Sequence, residues 1–420
     1  MTGNETLTAT PAGRYSTSRF AGFWTSGLAL AVVMAGSSVV SPLYDVYQAT
    51  WHFSTITLTA IFAVYAASLL AVLLVAGNLS DRVGRRPMMA VAALAEAAAA
   101  GVFLAAHGVA ALYVGRLLQG VATGAGVGAA GAALLELQPA DRPTLGGTVN
   151  ASGSMGALAV GAVGASALVQ YGPAPTRLVF WLLLAVSLLT LGLIAVMPEP
   201  VTSGRVEWAD LRPRAGVPRA ALPDFLVALP ALVATWALGG LYFSLGPSIA
   251  AELSHSRDAL WGGLVIALLT GAGAVAAFGL RSLAPGAAML RGSAVLAVGS
   301  VVTLVGIVTG ASWGLLVGSA IAGLGFGTAY LGAFRHLSAL AAPAQRGALV
   351  ASIYVVSYLS FSVPVLVAGT ATTAVGLHPV AVVYAAGVIS LSALATVLQV
   401  TARRRPRRAA AAPAAEAAGL

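Results

Sequence analysis

Few residues in this chain have types and spacings able to do chemistry, and they fall into three groups. Arg116 and Gln119 stand three apart in Gly115-Arg116-Leu117-Leu118-Gln119-Gly120. They lie in an apolar stretch, where an arginine costs about 2.5–3.5 kcal/mol or more unless it is paired, wetted or reaching the headgroups. Two acids occupy similar stretches: Glu96, about 14 Å in by helix rise, and Asp45, just after Ser41-Pro42-Leu43-Tyr44. Burial raises a carboxylate's pKa, so either acid is a candidate to take up and release a proton. The plainer readings are an interfacial Asp45, a Glu96 that is protonated or paired with Arg116, and an Arg116 that snorkels from about 9 Å inside its span. The third group is the run Gly77-Asn78-Leu79-Ser80-Asp81-Arg82-Val83-Gly84-Arg85-Arg86-Pro87. Arg82, Arg85 and Arg86 can pair with carboxylates, and Asp81 can accept from a helix N-terminus. A basic turn needed only for topology would not require Asp81 or the spaced glycines.

Other chemistry is excluded or poorly supported. There is no cysteine, so thiolate sites and disulfides are ruled out. The five histidines are scattered without a His-x-x-x-His pair, so no metal site is expected. No phosphate-binding Gly-x-x-x-x-Gly-Lys-Ser/Thr loop is present, which excludes ATP hydrolysis by this chain, and no cofactor is expected.

These groups need elements to hold them, and composition says which. Of 420 residues, 59% are hydrophobic and only 8% are charged. A soluble protein carries about 25% charged residues, so a soluble enzyme is a poor reading. Twelve apolar stretches approach or exceed the roughly 20 residues that cross a bilayer. They cover about 21–44, 55–77, 87–106, 110–136, 145–169 and 176–197, then 224–250, 259–280, 288–309, 312–337, 346–370 and 379–400. In lipid the backbone must bond within each segment, which makes these spans helices. The expected organisation is a cytoplasmic segment 1–20, a bundle 21–197, a proline- and arginine-bearing linker 198–223, a second bundle 224–400 and a basic tail 401–420.

Charge placement orients the chain. With the N-terminus inside, 19 of the 22 arginines fall on the cytoplasmic side; Arg177 and Arg257 lie outside and Arg116 within a span. Both termini are therefore expected in the cytoplasm. The net charge of +9 then marks topology and contact with anionic lipid, and no aromatics interleave the basic tail as nucleic-acid binding would want. The halves also repeat. VGRLLQGVATG at 114–124 aligns with VGSAIAGLGFG at 317–327, offset by 203, placing Gly115, Gly120 and Gly124 on Gly318, Gly323 and Gly327. PADR at 139–142 aligns with PAQR at 343–346, and Pro42 falls close to Pro247. Ser319 and Ala322 replace Arg116 and Gln119, so the position does not itself require the charge. Duplicated halves fit a transporter with its site between them.

The loop from Gly77 to Pro87, between the second and third spans, resembles the signature loop of the major facilitator superfamily. The resemblance implies an all-α fold of twelve transmembrane helices in two six-helix bundles. It implies that Gly77, Asp81, Arg82, Gly84, Arg85 and Arg86 latch the halves in the outward-facing state, against the start of span eleven near Arg346 and Gly347. Arg116-Leu117-Leu118-Gln119-Gly120 is similar to an Arg-x-x-Gln-Gly element associated with proton-driven exporters of the family. The fifth span has Gly147, Gly153, Gly156, Gly161 and Gly164, but Ala162 where those exporters carry a Gly-Pro pair; its glycines equally suit tight helix packing. The family's cavity is lined mainly by helices one, four, seven and ten. That makes Ser37, Ser38, Tyr44, Thr123, Trp236, Tyr242, Phe243, Tyr330 and Phe334 candidates, joined by Asn150, Tyr354 and Tyr358. Aromatics in membrane helices more often pack than bind.

The reading is a plasma-membrane transporter, not an enzyme, working as a monomer by alternating access. Its coupling candidates are Arg116, Gln119, Asp45 and Glu96, and its partners are protons, a small-molecule substrate and the bilayer. The resemblance of the loop and of Arg116 with Gln119 implies proton-driven efflux of small amphiphilic molecules, drugs or metabolites, and so apolar a set of candidates favours a hydrophobic or weakly cationic substrate over a sugar. Uptake of a nutrient is the alternative, and a non-transporting receptor or lipid-moving protein of the same fold is a third.

Overall fold

Buried backbone amides in hydrocarbon can be satisfied only within a helix or a closed sheet, and the chain takes the first course. The computed structural model describes residues 17–201, 204, 215–256 and 258–404, apart from the side chains at 76–78 and 343–344. Arg14, the linker residues Arg205, Arg212 and Arg214, Arg257, and the tail's Arg405, Arg407 and Arg408 fall outside that range, as do the surroundings of Gly77. Among the described residues there is no strand, and twelve helices are long and apolar enough to cross a membrane.

In the first half, α1 spans Thr17–Trp51, α2 Thr55–Val83, α3 Arg85–Leu104, α4 Val109–Leu137, α5 Leu145–Tyr171 and α6 Leu178–Val196. In the second, α7 spans Leu222–Ser244 and continues as a short helix Gly246–Ser254. Then come α8 Leu260–Gly279, α9 Pro285–Thr309, α10 Ser312–Leu340, α11 Pro343–Val375 and α12 Leu377–Arg404. Several helices outrun the apolar stretches that announce them. α11 starts at Pro343 and α12 runs to Arg404, because a helix can extend its polar ends beyond hydrocarbon.

α1 also departs from the expected single span ending near residue 44. Pro42 lacks an N–H and sits in a 3-10 turn, Ser41–Leu43, after which helix resumes as Tyr44–Trp51. The second half also breaks, but at Leu245, and Pro247 stands in the first turn of the short helix that follows. Each short helix ends on a left-handed histidine, His52 at φ 50° and His255 at φ 49°, which are 203 residues apart.

α1 packs on α4, α5 and α6, with α2 and α3 also against α4, making one bundle. α10 packs on α8 and α9, and α12 on α7 and α9, making the other. The bundles meet where α5 lies on α8 and α2 on α11. Large apolar side chains such as Trp181, Leu189, Val308 and Val383 stay more than half exposed, as a lipid-facing surface requires. Inside, the repeated glycines make equivalent contacts in the two halves. A Cβ on Gly120 would stand 2.6 Å from the Tyr65 carbonyl oxygen of α2, and one on Gly124 2.7 Å from that of Leu69. Gly323 and Gly327 press in the same way on the backbone of α8. The fourth helix of each half thus meets the second helix backbone to backbone. Gly128, which continues the stripe by sequence, faces open space. The tight packing expected along α5 holds at Gly161, against α1, whereas Gly147, Gly156 and Gly164 have nothing within 4 Å.

Gly120→Val and Gly323→Val should each destabilise the protein by about 1–3 kcal/mol through overpacking. Thermal unfolding in detergent should show this, with Gly128→Val close to wild type.

Candidate functional site

The arginine inside α4 does not reach the headgroups. Arg116 is 1% exposed, and its Nη1 donates to the Ser37 carbonyl at 2.9 Å and to Gln119 Oε1 at 3.0 Å. Gln119, one turn on, turns its amide nitrogen to the Gly36 carbonyl at 2.7 Å and to Glu96 Oε1 at 3.2 Å. Glu96 and Arg116 therefore do not pair directly; Gln119 stands between them. α1 supplies bare carbonyls, α4 the arginine and amide, and α3 the acid. Gly36 is needed here, since a Cβ would overlap the Glu96 carboxylate. The other carboxylate oxygen, Oε2, and Arg116 Nε are buried without a hydrogen-bond partner. The guanidinium lies 4.1 Å over the Tyr65 ring and 5.9 Å from that of Phe62. Tyr65 donates to Thr123 at 3.5 Å, and Tyr44 is buried beside the same arginine. Among the described residues Arg116 forms no ion pair.

The repeat shows that the fold does not demand this cluster. Glu96 and Gln119 correspond, at the offset of 203, to Gly299 and Ala322. In the second half those two close directly, with Gly299 against the Ala322 backbone. The first half opens the same helix crossing and fills it with a carboxylate and an amide.

A wall of rings forms the second part of the site. Trp236 of α7 packs against Tyr358 at 4.9 Å, Tyr330 at 5.3 Å and Phe361 at 5.8 Å. Phe334 and Tyr354 extend the series at 6.0 Å from Tyr330 and 6.1 Å from Phe334, respectively. Trp236 Nε1 is buried without a partner. Phe361 then meets Phe62 of the first half at 4.7 Å. Phe62 and Phe361 thus join the wall to the arginine, and sequence reasoning missed both. Neither bears a motif; their pairing exists only once α2 meets α11.

Other cavity candidates lie elsewhere. Tyr242 bonds Ser319 at 3.0 Å and Thr303 at 3.3 Å within the second bundle, because α9 and α10 offer it hydroxyls there. Phe243 is buried and reaches Phe361 at 6.2 Å. The hydroxyls of Ser37 and Ser38 are returned to their own helix, at the Met34 and Ala35 carbonyls, and Ser38 packs on Gly161. Asn150 lies in a π-helical turn of α5, Val149–Gly153, against Gly131 of α4. Asp45 stands apart from the Arg116 cluster and accepts from Ser248.

Among the described residues, the contacts of the loop between α2 and α3 run to its own half and to the linker. Arg85 is its centre: it donates to Ser80 at 2.6 Å and Asp81 at 2.5 Å, and pairs with Glu136 of α4 at 2.9 Å. Arg86 donates to the Ala195 carbonyl, and the Arg82 carbonyl accepts from Gly204 at 2.7 Å. Asp81 does not cap a helix as expected. Glu199, just past α6, does so, accepting from the Arg85 and Arg86 amides at 2.9 Å each. Gly84 has φ +108°, and a Cβ there would stand 2.7 Å from Glu199. In the expected partner region of α11, Arg346 is exposed and Gly347 has open space around it. Glu136 and Glu199 lie 51 and 114 residues from Arg85, so proximity in sequence could not reveal them.

The comparisons agree with this architecture. The model of the Major Facilitator Superfamily matches residues 27–289, more than half of the chain. No curated protein matches the sequence. Among solved structures the chain is similar to the human organic anion transporter MFSD10 (TETRAN), at 18% identity and a TM-score of 0.63, over 90% of this chain and 99% of that one. Twelve spanning helices, a duplicated bundle and the match over most of the first half and into the second lead to one conclusion: the chain belongs to the Major Facilitator Superfamily, a multi-pass membrane transporter rather than an enzyme.

Proposed function

We propose that this transporter exports small amphiphilic molecules in exchange for protons, acting as a monomer in the plasma membrane with both termini in the cytoplasm. The observation that carries this is the buried Arg116–Gln119–Glu96 chain, linked through Phe62 and Phe361 to the ring wall. The fold does not need the chain, since Gly299 and Ala322 fill its place in the other half. Glu96 is the proton-bearing group. Gln119 senses its state, because the same amide nitrogen is shared between the carboxylate and the Gly36 carbonyl while the amide oxygen holds Arg116. A change at Glu96 therefore shifts Arg116 over Tyr65 and Phe62, and with them the ring contact to the second half. The rings favour a substrate with an aromatic or apolar body. A second reading is favoured by the unpaired positive charge of Arg116, which suits an organic anion, the cargo named for the structural neighbour.

Purified protein in liposomes under an imposed pH gradient tests the proposal, with dyes, antibiotics and metabolites supplied in turn. Substrate-triggered proton release is expected; flux in the opposite sense would mark uptake, and no coupled flux would end the exporter reading. Competition by lipophilic anions but not cations would select the second reading. Arg116→Ala and Glu96→Gln should each lower proton exchange by about tenfold or more, the loss of a charge-assisted bond of roughly 1.5–3 kcal/mol. Unchanged exchange in either would remove that residue from coupling.

The loop gives a further prediction. Asp81→Asn should slow transport while leaving substrate binding intact, because it weakens the latch and not the site. Glu199→Ala should cost about 1 kcal/mol of stability through the lost helix cap, visible as a lowered melting temperature.

A further inference from the structure

Among the contacts between the halves at the end of the bundle opposite the α2–α3 loop, which include the Ala259 amide donating to Gln170 at 3.2 Å, three pairs follow the repeat. Ser248, on the short helix after α7, donates to Asp45, on the short helix ending α1, at 2.8 Å. Thr59 of α2 abuts Gly369 of α11, and Ser166 of α5 abuts Gly263 of α8. In both flanking pairs a Cβ on the glycine would overlap the partner's hydroxyl oxygen.

The repeat relates these contacts to one another. Ser166 and Gly369 are 203 residues apart, and Thr59 and Gly263 are 204 apart, so the two flanking pairs exchange under the duplication. Asp45 and Ser248 are themselves 203 apart. This is a position bonded to its own counterpart. Two points related by a twofold axis can touch only beside that axis, and parallel halves of this kind are related by an axis along the membrane normal. The Asp45–Ser248 bond therefore closes the far mouth of the central route at its middle. Asp45 and Ser248 both stand in the first turns of their short helices, which end alike on the left-handed His52 and His255. The pair is also chemically asymmetric. An acid facing an acid would repel, whereas here one side only accepts and the other donates.

We infer that Asp45 and Ser248 are the gate pair of the transport cycle at this end, and that Gly263 and Gly369 are the positions whose missing side chains let the gate shut. Asp45 thereby acts in gating and is not the proton carrier. The inference rests on alternating access, but on neither the coupling ion nor the direction of export proposed above.

The absence of cysteine makes a direct test possible. Ala49 and Glu252 are exposed, lie on the two short helices and are again 203 apart. Ala49→Cys with Glu252→Cys in the full chain takes two spin labels, and their distance distribution in liposomes reports the gate without substrate or gradient. A dominant short distance is expected in the otherwise wild-type chain. Asp45→Ala, Ser248→Ala and Gly369→Val should each move the ratio of short to long distances by about tenfold toward the long. Asp45→Asn, whose amide oxygen still accepts from Ser248, should keep both the short distance and proton-coupled flux. Ser248→Ala removes one oxygen and keeps the packing, so a folding defect in the valine variant leaves the test intact. Unchanged distances in all three opening variants would overturn the gate. So would loss of proton-coupled flux in Asp45→Asn with the short distance retained, which would make Asp45 the proton carrier.

Discussion

Inside a bilayer, a polar group must find its partner within the protein, and the structure can be followed outward from that constraint. For the backbone it enforces helices from end to end. For the few ionisable side chains it enforces a specific neighbour. Arg116 is satisfied by a carbonyl of α1 and the amide of Gln119, which bonds α4 to α1. Gln119 then reaches the Gly36 carbonyl and Glu96, drawing in α3. One buried charge thereby ties together three helices of the first bundle.

The duplication separates scaffold from chemistry. Equivalent glycines make equivalent contacts in both halves, so the helix crossings are common property of the repeat. Where the halves differ, polar function enters. Glu96 and Gln119 occupy the crossing that Gly299 and Ala322 close tightly, and the position of Arg116 becomes Ser319, bonded to Tyr242. The first half thus holds the charged cluster and the second the rings, with Phe62 against Phe361 as the link.

The two ends of the bundle are built on different physics. At the end of the α2–α3 loop, ionic contacts organise the first half: Arg85 gathers Asp81 and Glu136, while Glu199 caps α3. At the far end, the halves close on glycine–hydroxyl contacts and two hydrogen bonds, Ser248 to Asp45 and the Ala259 amide to Gln170. Short-range packing of this kind is gained or lost abruptly with small displacements. That suits a mouth with two discrete arrangements better than a long-range ionic attraction would.

Much of this was legible in the chain itself. The twelve spans, the duplication, the loop from Gly77 to Pro87 and the isolation of Arg116 follow from hydropathy, spacing and the scarcity of charge, all of which are local or periodic properties. Partnerships were not legible. Arg116 could be flagged as needing a partner, but the carbonyl of Ser37 leaves no mark in a sequence, because every residue has one. Glu199 as the cap of α3, Phe62 against Phe361, and Asp45 against its own repeat counterpart join residues 114, 299 and 203 positions apart. The sequence by itself determined which segments lie in the membrane and which residues are costly there. Only the tertiary structure decided which atoms offset that cost, because the choice depends on distances between helices that no single helix contains.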